Sequence, residues 1–473
     1  MIAYTVSKNT VFLTGASVVQ KILSFGYFWY LTANLPKTDL GAYLFALSFA
    51  TLFGSATDLG ITPVLIREAA RRPEEGNRYL RAIISMKLVL SVLAVAVAAG
   101  IISLSGRPPE VRHLVYAALG LVFLDAFTLS FWGIFKAARN LRYESIATIL
   151  VQLVILAGGV IVVQTSRSTL HLVFTLMAAS LVNFTLAVIL LRRVLGFRLL
   201  PAWDRPTVLA LLRLVPAFAL SLLFVKIYNV ADTVLLGYLS DSEAVANYAI
   251  PAKVVTSLQQ VIPATFAAVL FPVFAQAYRA GGPRLSQLFT RACAYLAILS
   301  IPMSLGLVAL APQVLERVWP AYLEVAPAFS VMALALPFMF LAFPTGYLLN
   351  ATDRQSRNTL NRGIIMVAAV TGNALLIPRF GYLASAAVFT ASNIVLLGLD
   401  WYAARDIIRG RWRDYVPLAG KILVASLAML AVTIAVRSSF DVFATAAIGG
   451  GVYAGICAAL RVWRLRALPP ETV

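Results

Sequence analysis

LVLSVLAVAVAAGII, residues 88–102, runs fifteen residues without a charge and with one hydroxyl, that of Ser91. LVASLAMLAVTIAV, residues 423–436, reads the same way. A helix on a soluble protein turns a polar face to water every 3.6 residues, and these segments have no such face to turn. Hydrocarbon is the solvent that accepts them, and a helix needs about 20 mostly apolar residues to cross it. The rest of the 473-residue chain agrees: 60% of residues are hydrophobic and 12% charged, with mean hydropathy +0.86. Soluble domains are nearer half apolar and about a quarter charged. Apolar runs between charged clusters fall at about 10–33, 40–66, 80–104, 114–135, 145–164, 170–191, 207–236, 244–275, 285–310, 325–350, 359–377, 383–404, 416–436 and 440–460. The expected fold is therefore an all-α polytopic membrane protein with about fourteen transmembrane helices.

The net charge of +19 would point a soluble protein toward nucleic acid. Here the loops account for it, and no nucleic-acid partner is expected. With the N-terminus inside, 27 of the 39 Lys and Arg residues fall at inside loops, 7 outside and 5 within spans. That alternation is the positive-inside pattern, and it places both termini in the cytoplasm. The first span contains Lys21 and lacks a cleavage site, so it reads as a membrane helix and not a signal peptide. No loop exceeds about twenty residues, which leaves no room for an extramembrane catalytic domain. Cys293 and Cys457 lie in apolar runs, so neither a disulfide framework nor a metal site is expected, and no cofactor motif is present. His113 and His171 sit near span ends, where a lone histidine is simply solvated.

A shift of 205 residues superposes Lys21 on Lys226, Leu31 on Leu236, Leu40 on Val245 and Tyr43 on Tyr248. Each copy holds a span, a short outside loop with an acid (Asp39; Asp241 and Glu243) and the next span. The shift carries span 1 onto span 7, so the repeat unit has six helices and both copies run the same way through the membrane. Two pseudo-symmetric six-helix lobes are expected, residues 1–205 and 206–411, followed by two additional spans and a cytoplasmic tail in 412–473.

Charges at bilayer depth cost a few kcal/mol unless they face a partner or a hydrated cavity. Lys21, Lys87, Lys226 and Lys253 occupy such positions, as do Asp58, Asp125 and Asp232. Each is either an ion-paired or snorkelling residue, or part of a working site; Lys421 reads as snorkelling. Thr14, Ser17, Lys21 and Ser24 form one stripe on span 1, and Lys226, Asn229 and Thr233 form another on span 7. Lys253 and Gln260 share a face on span 8, with Gln259 adjacent. Lipid rejects such faces, and a hydrated cavity between two lobes accepts them. Four lysines against three aspartates give that cavity a modestly positive sign, suited to an anion such as phosphate.

The segment LTANLPKTDLGAYLFALSFATLFGSATDLGITPVLIREAAR, residues 31–71, resembles the opening of prokaryotic polysaccharide or O-antigen flippases. These belong to the multidrug/oligosaccharidyl-lipid/polysaccharide exporter superfamily. The resemblance rests on Asp39-Leu40-Gly41-Ala42-Tyr43, Asp58-Leu59-Gly60 and Ile66-Arg67-Glu68, and on residues 232–248 (DTVLLGYLSDSEAVANY) in the second lobe. It implies a carrier, not an enzyme, in the bacterial inner membrane. The cargo would be an undecaprenyl-pyrophosphate-linked oligosaccharide, moved by alternating access of the two lobes. Lys21, Lys226, Lys253 and Lys87, with Asn229 and Gln260, become substrate-binding candidates. Asp58, Asp125 and Asp232 become candidates for coupling to H+ or Na+. Membrane lipid is the surrounding partner, and polysaccharide assembly proteins are candidate partners. The family often has twelve spans, whereas the lipid II flippases of the same superfamily have fourteen and carry an arginine cluster that this chain lacks. A multidrug cation antiporter of the same superfamily is the alternative, disfavoured by the basic balance. A lipid-linked sugar polymerase is disfavoured by the short outer loops.

Overall fold

The computed structural model describes residues 2–281, 284–408 and 416–462, and their side chains except those of 2–14, 217, 218 and 264–269. Thr14 of the span-1 stripe thus lies outside the described side chains. Arg409, Arg411, Arg413, Arg464 and Arg466 of the inside set lie outside the described residues. Helices and short connections make up everything described, with no strand among the described residues.

The chain divides into two compact units, Met1–Ala246 and Asn247–Val473. The first holds α1 (Ile2–Asn34), α2 (Lys37–Asp58), α3 (Ile61–Arg71), α4 (Gly76–Leu104), α5 (Pro109–Ala137), α6 (Arg142–Thr165), α7 (Thr169–Leu195), α8 (Arg205–Leu214), α9 (Pro216–Leu239) and the start of α10 (Ser242–Ala280). The second holds the rest of α10 and α11 (Arg284–Val318), α12 (Ala326–Ala333), α13 (Leu336–Ala351), α14 (Gln355–Ile408), α15 (Val416–Val436) and α16 (Val442–Ala459). Among the described residues, eleven helical stretches are long and apolar enough to cross a membrane. One of them, α14, covers 54 residues and breaks at Gly381 (φ 54°, ψ −137°). Its halves fold back on each other, since Ser385 Oγ donates to Asn373 Oδ1 at 2.7 Å and Asn361 Nδ2 to Asp400 Oδ1 at 2.7 Å. It therefore contains the expected spans 11 and 12. With α1 and α10, both of membrane-spanning length, the helices account for about fourteen crossings.

In the first unit α5 is flanked by α2, α4 and α7, α1 packs on α6, and α2 packs on α9. In the second, α11 lies against α12, α13 and α15, α13 against α14, and α15 against α16. Lipid tails are as apolar as leucine, so such contacts depend on close packing through small residues. At Gly159 an added Cβ would come within 2.3 Å of the Tyr27 ring, which is why α6 can approach α1. A denser core joins α3, α4, α5, α7 and α8 through residues such as Leu65, Leu80, Ile83, Phe135, Leu191 and Leu211.

The expected second span, 40–66, is not one helix. It breaks between α2 and α3 because Leu59 (φ 39°) and Gly60 (φ 77°) are both left-handed. This is the physical content of the Asp58-Leu59-Gly60 step: the turn ends α2, and the Asp58 carboxylate then accepts the Thr62 N–H at 3.2 Å in the first turn of α3. A Cβ in the left-handed region costs about 1–2 kcal/mol. Gly60→Ala is accordingly expected to lower stability by about that much, read as an earlier thermal unfolding midpoint in detergent. An unchanged midpoint would show that the turn relaxes freely.

Candidate functional site

The turn at residues 58–62 assembles the most deeply buried charge in the first unit. Lys87, from the middle of α4, has 0% side-chain exposure, and its ammonium sits 2.6 Å from Asp58 Oδ1. It also donates to Thr62 Oγ1 at 3.0 Å and to the Ala126 carbonyl at 2.6 Å, so all three of its donors are used. The Thr62 hydroxyl donates to the same Asp58 oxygen and lies 3.2 Å from Ser130 Oγ. Four helices are thereby tied at one point by a fully satisfied ion pair, the condition under which a buried charge is tolerated.

Beside this knot lies a cavity of about 490 Å³ between α2, α3, α5 and α9. Four charged residues line it: Asp58, Asp125, Lys136 and Lys226. Two of them are engaged in ion pairs, Asp58 with Lys87 and Lys136 with Glu144 at 2.9 Å. Asp125 accepts a hydrogen bond from Ser180 at 2.7 Å and has no cationic partner among the described residues. Lys226 is exposed and makes no ion pair among the described residues. The cavity thus presents one unpaired ammonium and one unpaired carboxylate on walls that mix Thr and Ser hydroxyls with apolar residues such as Ile66, Val122 and Leu222.

Toward the other end of α2 the space closes. A Cβ on Gly41 would fall 1.6 Å from the Ser242 carbonyl oxygen, so the start of α10 rests directly on the α2 backbone. A Cβ on Gly237 would strike the Phe45 ring at 2.1 Å, bringing α9 equally near. Phe45, Phe49 and Tyr238 stack in this gap, with Phe45 and Tyr238 edge-on at 5.3 Å. The Arg107 guanidinium lies 5.1 Å from the centroids of both Phe45 and Tyr238. Lys37 and Glu243 pair across the rim at 3.4 Å. Helix α2 therefore meets the start of α10 at Gly41 and the end of α9 at Phe45 and Phe49, and the cavity opens beside α9 where Thr51–Asp58 of α2 line it.

Not every residue singled out in the sequence borders this cavity. Asp58, Asp125 and Lys226 line it, whereas Lys87 lies behind Asp58 and reaches it only through that carboxylate. Lys21 is half-buried on α1, and Asn229 is exposed one turn beyond Lys226; neither lines the cavity. Asp232 Oδ1 accepts from the Thr233 N–H at 2.8 Å. Lys253, half-buried, and Gln260, exposed, belong to the second unit. Each pair in the 205-residue repeat shares a burial state at its apolar positions: Leu31 and Leu236, Leu40 and Val245, and Tyr43 and Tyr248 are all buried.

A sequence profile for the polysaccharide biosynthesis protein family matches residues 6–278, more than half of the chain. The chain belongs to that family. No curated protein matches it in sequence. Among solved structures, the lipid II flippase MurJ in its inward closed conformation is similar at TM-score 0.80 and 13% identity, covering 96% of this chain and 100% of that one. An inward-facing multidrug resistance MATE family transporter of the MOP superfamily is similar at TM-score 0.66 and 14% identity, with 82% and 94% covered. A MOP superfamily transporter from Pyrococcus furiosus, described as having a binding pocket of reverse polarity, gives TM-score 0.55 and 14% identity, with 85% and 95% covered. This member of the polysaccharide biosynthesis family thus has the fold of MOP superfamily transporters, as the resemblance in its opening segment implies.

Two features of the site, and one buried carboxylate outside it, escaped the sequence. Thr62 and Ser130 are hydroxyls in apolar runs, and nothing local marks them as partners of a lysine 25 residues away from Thr62. Lys136 reads as an ordinary positive-inside residue. In the second unit Asp400 is fully buried, with Asn361 on one carboxylate oxygen and no hydrogen bond to the other. Its position inside the run 383–404 was the available signal.

Proposed function

We propose that this protein is a flippase for undecaprenyl-pyrophosphate-linked oligosaccharide, carrying it across the bacterial inner membrane by alternating access. The observation that carries the reading is the unpaired Lys226 ammonium on the wall of a cavity that is closed at one end by the Gly41–Ser242 contact. A pyrophosphate is the chemical complement of an unpaired ammonium, and a sugar complements Thr and Ser hydroxyls. Membership of the polysaccharide biosynthesis family supports the same cargo class. In this reading the cavity opens to the cytoplasm, where the excess of arginines lies, and both termini are cytoplasmic. The lobes that rock are residues 1–205 and 206–411, so α2 and α9 come from opposite lobes and the seal between them is the outer gate. Lys21 and Lys253, with Asn229 and Gln260, contact the cargo elsewhere along its path. Asp125, which lacks a cationic partner, is the strongest candidate for coupling to H+ or Na+; Asp58 is committed to Lys87, and Asp232 is a secondary candidate. Surface assembly proteins would receive the cargo.

Lys226→Ala is expected to reduce surface polysaccharide by on the order of tenfold or more at normal protein level, with Lys226→Arg retaining part of it. Normal surface polysaccharide in Lys226→Ala would remove the basis for the pyrophosphate contact. The Asp125 carboxylate favours a second reading, export of organic cations. That reading predicts loss of dye efflux in Asp125→Asn with polysaccharide unaffected, so the two assays separate the alternatives.

A further inference from the structure

Residues 196–214, which join α7 to α9, are built as a rigid strap, and the face it turns outward has an unusual composition. Gly196 (φ 66°) ends α7 in a left-handed cap, with its own N–H bonded to Arg192 O and that of Phe197 to Leu191 O. Phe197 and Leu199 then pack onto the apolar core, which turns Arg198 and Leu200 outward. Four polar contacts hold the strap to the first turns of α4. Asn77 Nδ2 donates to Arg198 O, Arg81 Nε to Leu200 O, Ala202 N–H to Arg81 O, and Asp204 pairs with Arg78 at 2.6 Å. The Thr207 hydroxyl and the Arg78 guanidinium hold the Asp204 carboxyl below its usual range. In α8, Thr207, Val208 and Leu211 face the core, which leaves Leu209 and Leu212 exposed.

The outward face therefore combines Leu200 (68% exposed), Trp203 (62%), Leu209 and Leu212 with Arg198, Arg205 and Arg213. Asp204 is the one acid between residues 192 and 214, and it is spent on Arg78. None of the three arginines has a carboxylate partner among the described residues. Exposed apolar side chains interleaved with unpaired guanidinium groups complement a layer in which acyl chains lie beneath phosphates. Guanidinium bonds phosphate in a bidentate manner, and tryptophan favours the headgroup level. An acidic protein or a nucleic acid would supply the charge but no acyl layer for four large apolar side chains.

We propose that this strap is a binding surface for anionic phospholipid, with Trp203 and the three leucines among acyl chains and Arg198, Arg205 and Arg213 on headgroup phosphates. Helix α8 continues into α9 through Val215 in helical conformation (φ −57°, ψ −46°), with no loop between them. Lipid bound to the strap is thus mechanically connected to the helix that carries Lys226.

The test uses full-length protein in nanodiscs containing phosphatidylglycerol and phosphatidylcholine, with bromine on the acyl chains of one lipid at a time. The Trp203 signal is the difference between wild type and Trp203→Phe. Brominated phosphatidylglycerol is expected to quench it roughly twofold more than brominated phosphatidylcholine at equal mole fraction. That preference is expected to shrink at about 500 mM salt, where screening shortens the reach of each charge. Arg198→Gln/Arg205→Gln/Arg213→Gln should abolish the preference and the triple lysine variant should retain it. If the triple glutamine protein does not fold, Arg205→Gln alone should lower the preference measurably. Equal quenching by both lipids, no quenching by either, or a preference untouched by the glutamine variants would overturn the proposal. None of these readouts depends on which cargo the protein carries.

Discussion

Lys87→Met is expected to destabilise the folded protein by about 3–5 kcal/mol, the cost of leaving a buried charge without its partner. The methionine occupies the volume of the lysine stem but leaves Asp58 with no cation, and Thr62 Oγ1 and the Ala126 carbonyl each lose a donor. Removing both charges together is far less costly, because two neutral groups need no mutual compensation. The double variant Lys87→Met/Asp58→Asn should therefore recover most of the stability lost in Lys87→Met, although Asp58→Asn weakens the cap on α3. Thermal unfolding in detergent, followed by monodisperse elution, measures both variants. If Lys87→Met unfolds with the wild type, the ion pair does not hold α2, α3, α4 and α5 together. A role for Lys87 in direct cargo binding predicts the opposite pattern, normal stability with lost transport.

The second large effect is expected at Gly41. Any Cβ there would sit 1.6 Å from the Ser242 oxygen and 2.5 Å from its carbonyl carbon, and both are backbone atoms that cannot swing aside. Gly41→Val therefore forces α2 away from the start of α10 and separates Phe45 from Tyr238. If the protein is the alternating-access flippase proposed above, a gate that cannot close loses the state that loads cargo, so surface polysaccharide should fall by on the order of tenfold or more at normal protein level. The same variant in a Phe45→Cys background should react on the order of tenfold faster with a membrane-impermeant maleimide applied from outside, since Phe45 is 2% exposed when the contact is made. The native thiols contribute little background, as Cys293 and Cys457 are both buried. Unchanged labelling with unchanged polysaccharide would mean that the Gly41–Ser242 contact is not a gate.

Gly41 and Lys87 differ in how far their surroundings are legible in the sequence. Gly41 stands in the Asp39–Tyr43 turn on which the family resemblance rests, but the carbonyl it must accommodate is two hundred residues away. Asp58 and Lys87 were both visible as charges at membrane depth. Their pairing was not, because helical periodicity says which residues share a face and not which face meets which neighbour. Lys87 and Lys226 are both lysines within apolar spans, and although Lys226 has Asn229 and Thr233 on its own helix face, that does not reveal what either ammonium meets. One is fully enclosed by its partners and the other lines a cavity. The same limit applies to Asp400, whose burial against Asn361 follows from the fold-back of α14 at Gly381.

Sequence alone determined the apolar spans and their approximate number, the alternation of basic loops and the family of the opening segment, but not the break of the second span at Leu59 and Gly60. Those properties depend on each segment and its immediate solvent, and hydrocarbon accepts or rejects a segment largely by its own composition. The tertiary structure alone decided which charges are mutually neutralised and which face open space. It also decided where α2 meets α9 closely enough to form a seal. Those outcomes depend on ångström-scale distances between helices far apart in the chain, and a rotation of one residue, about 100°, would exchange a buried ion pair for a cavity wall.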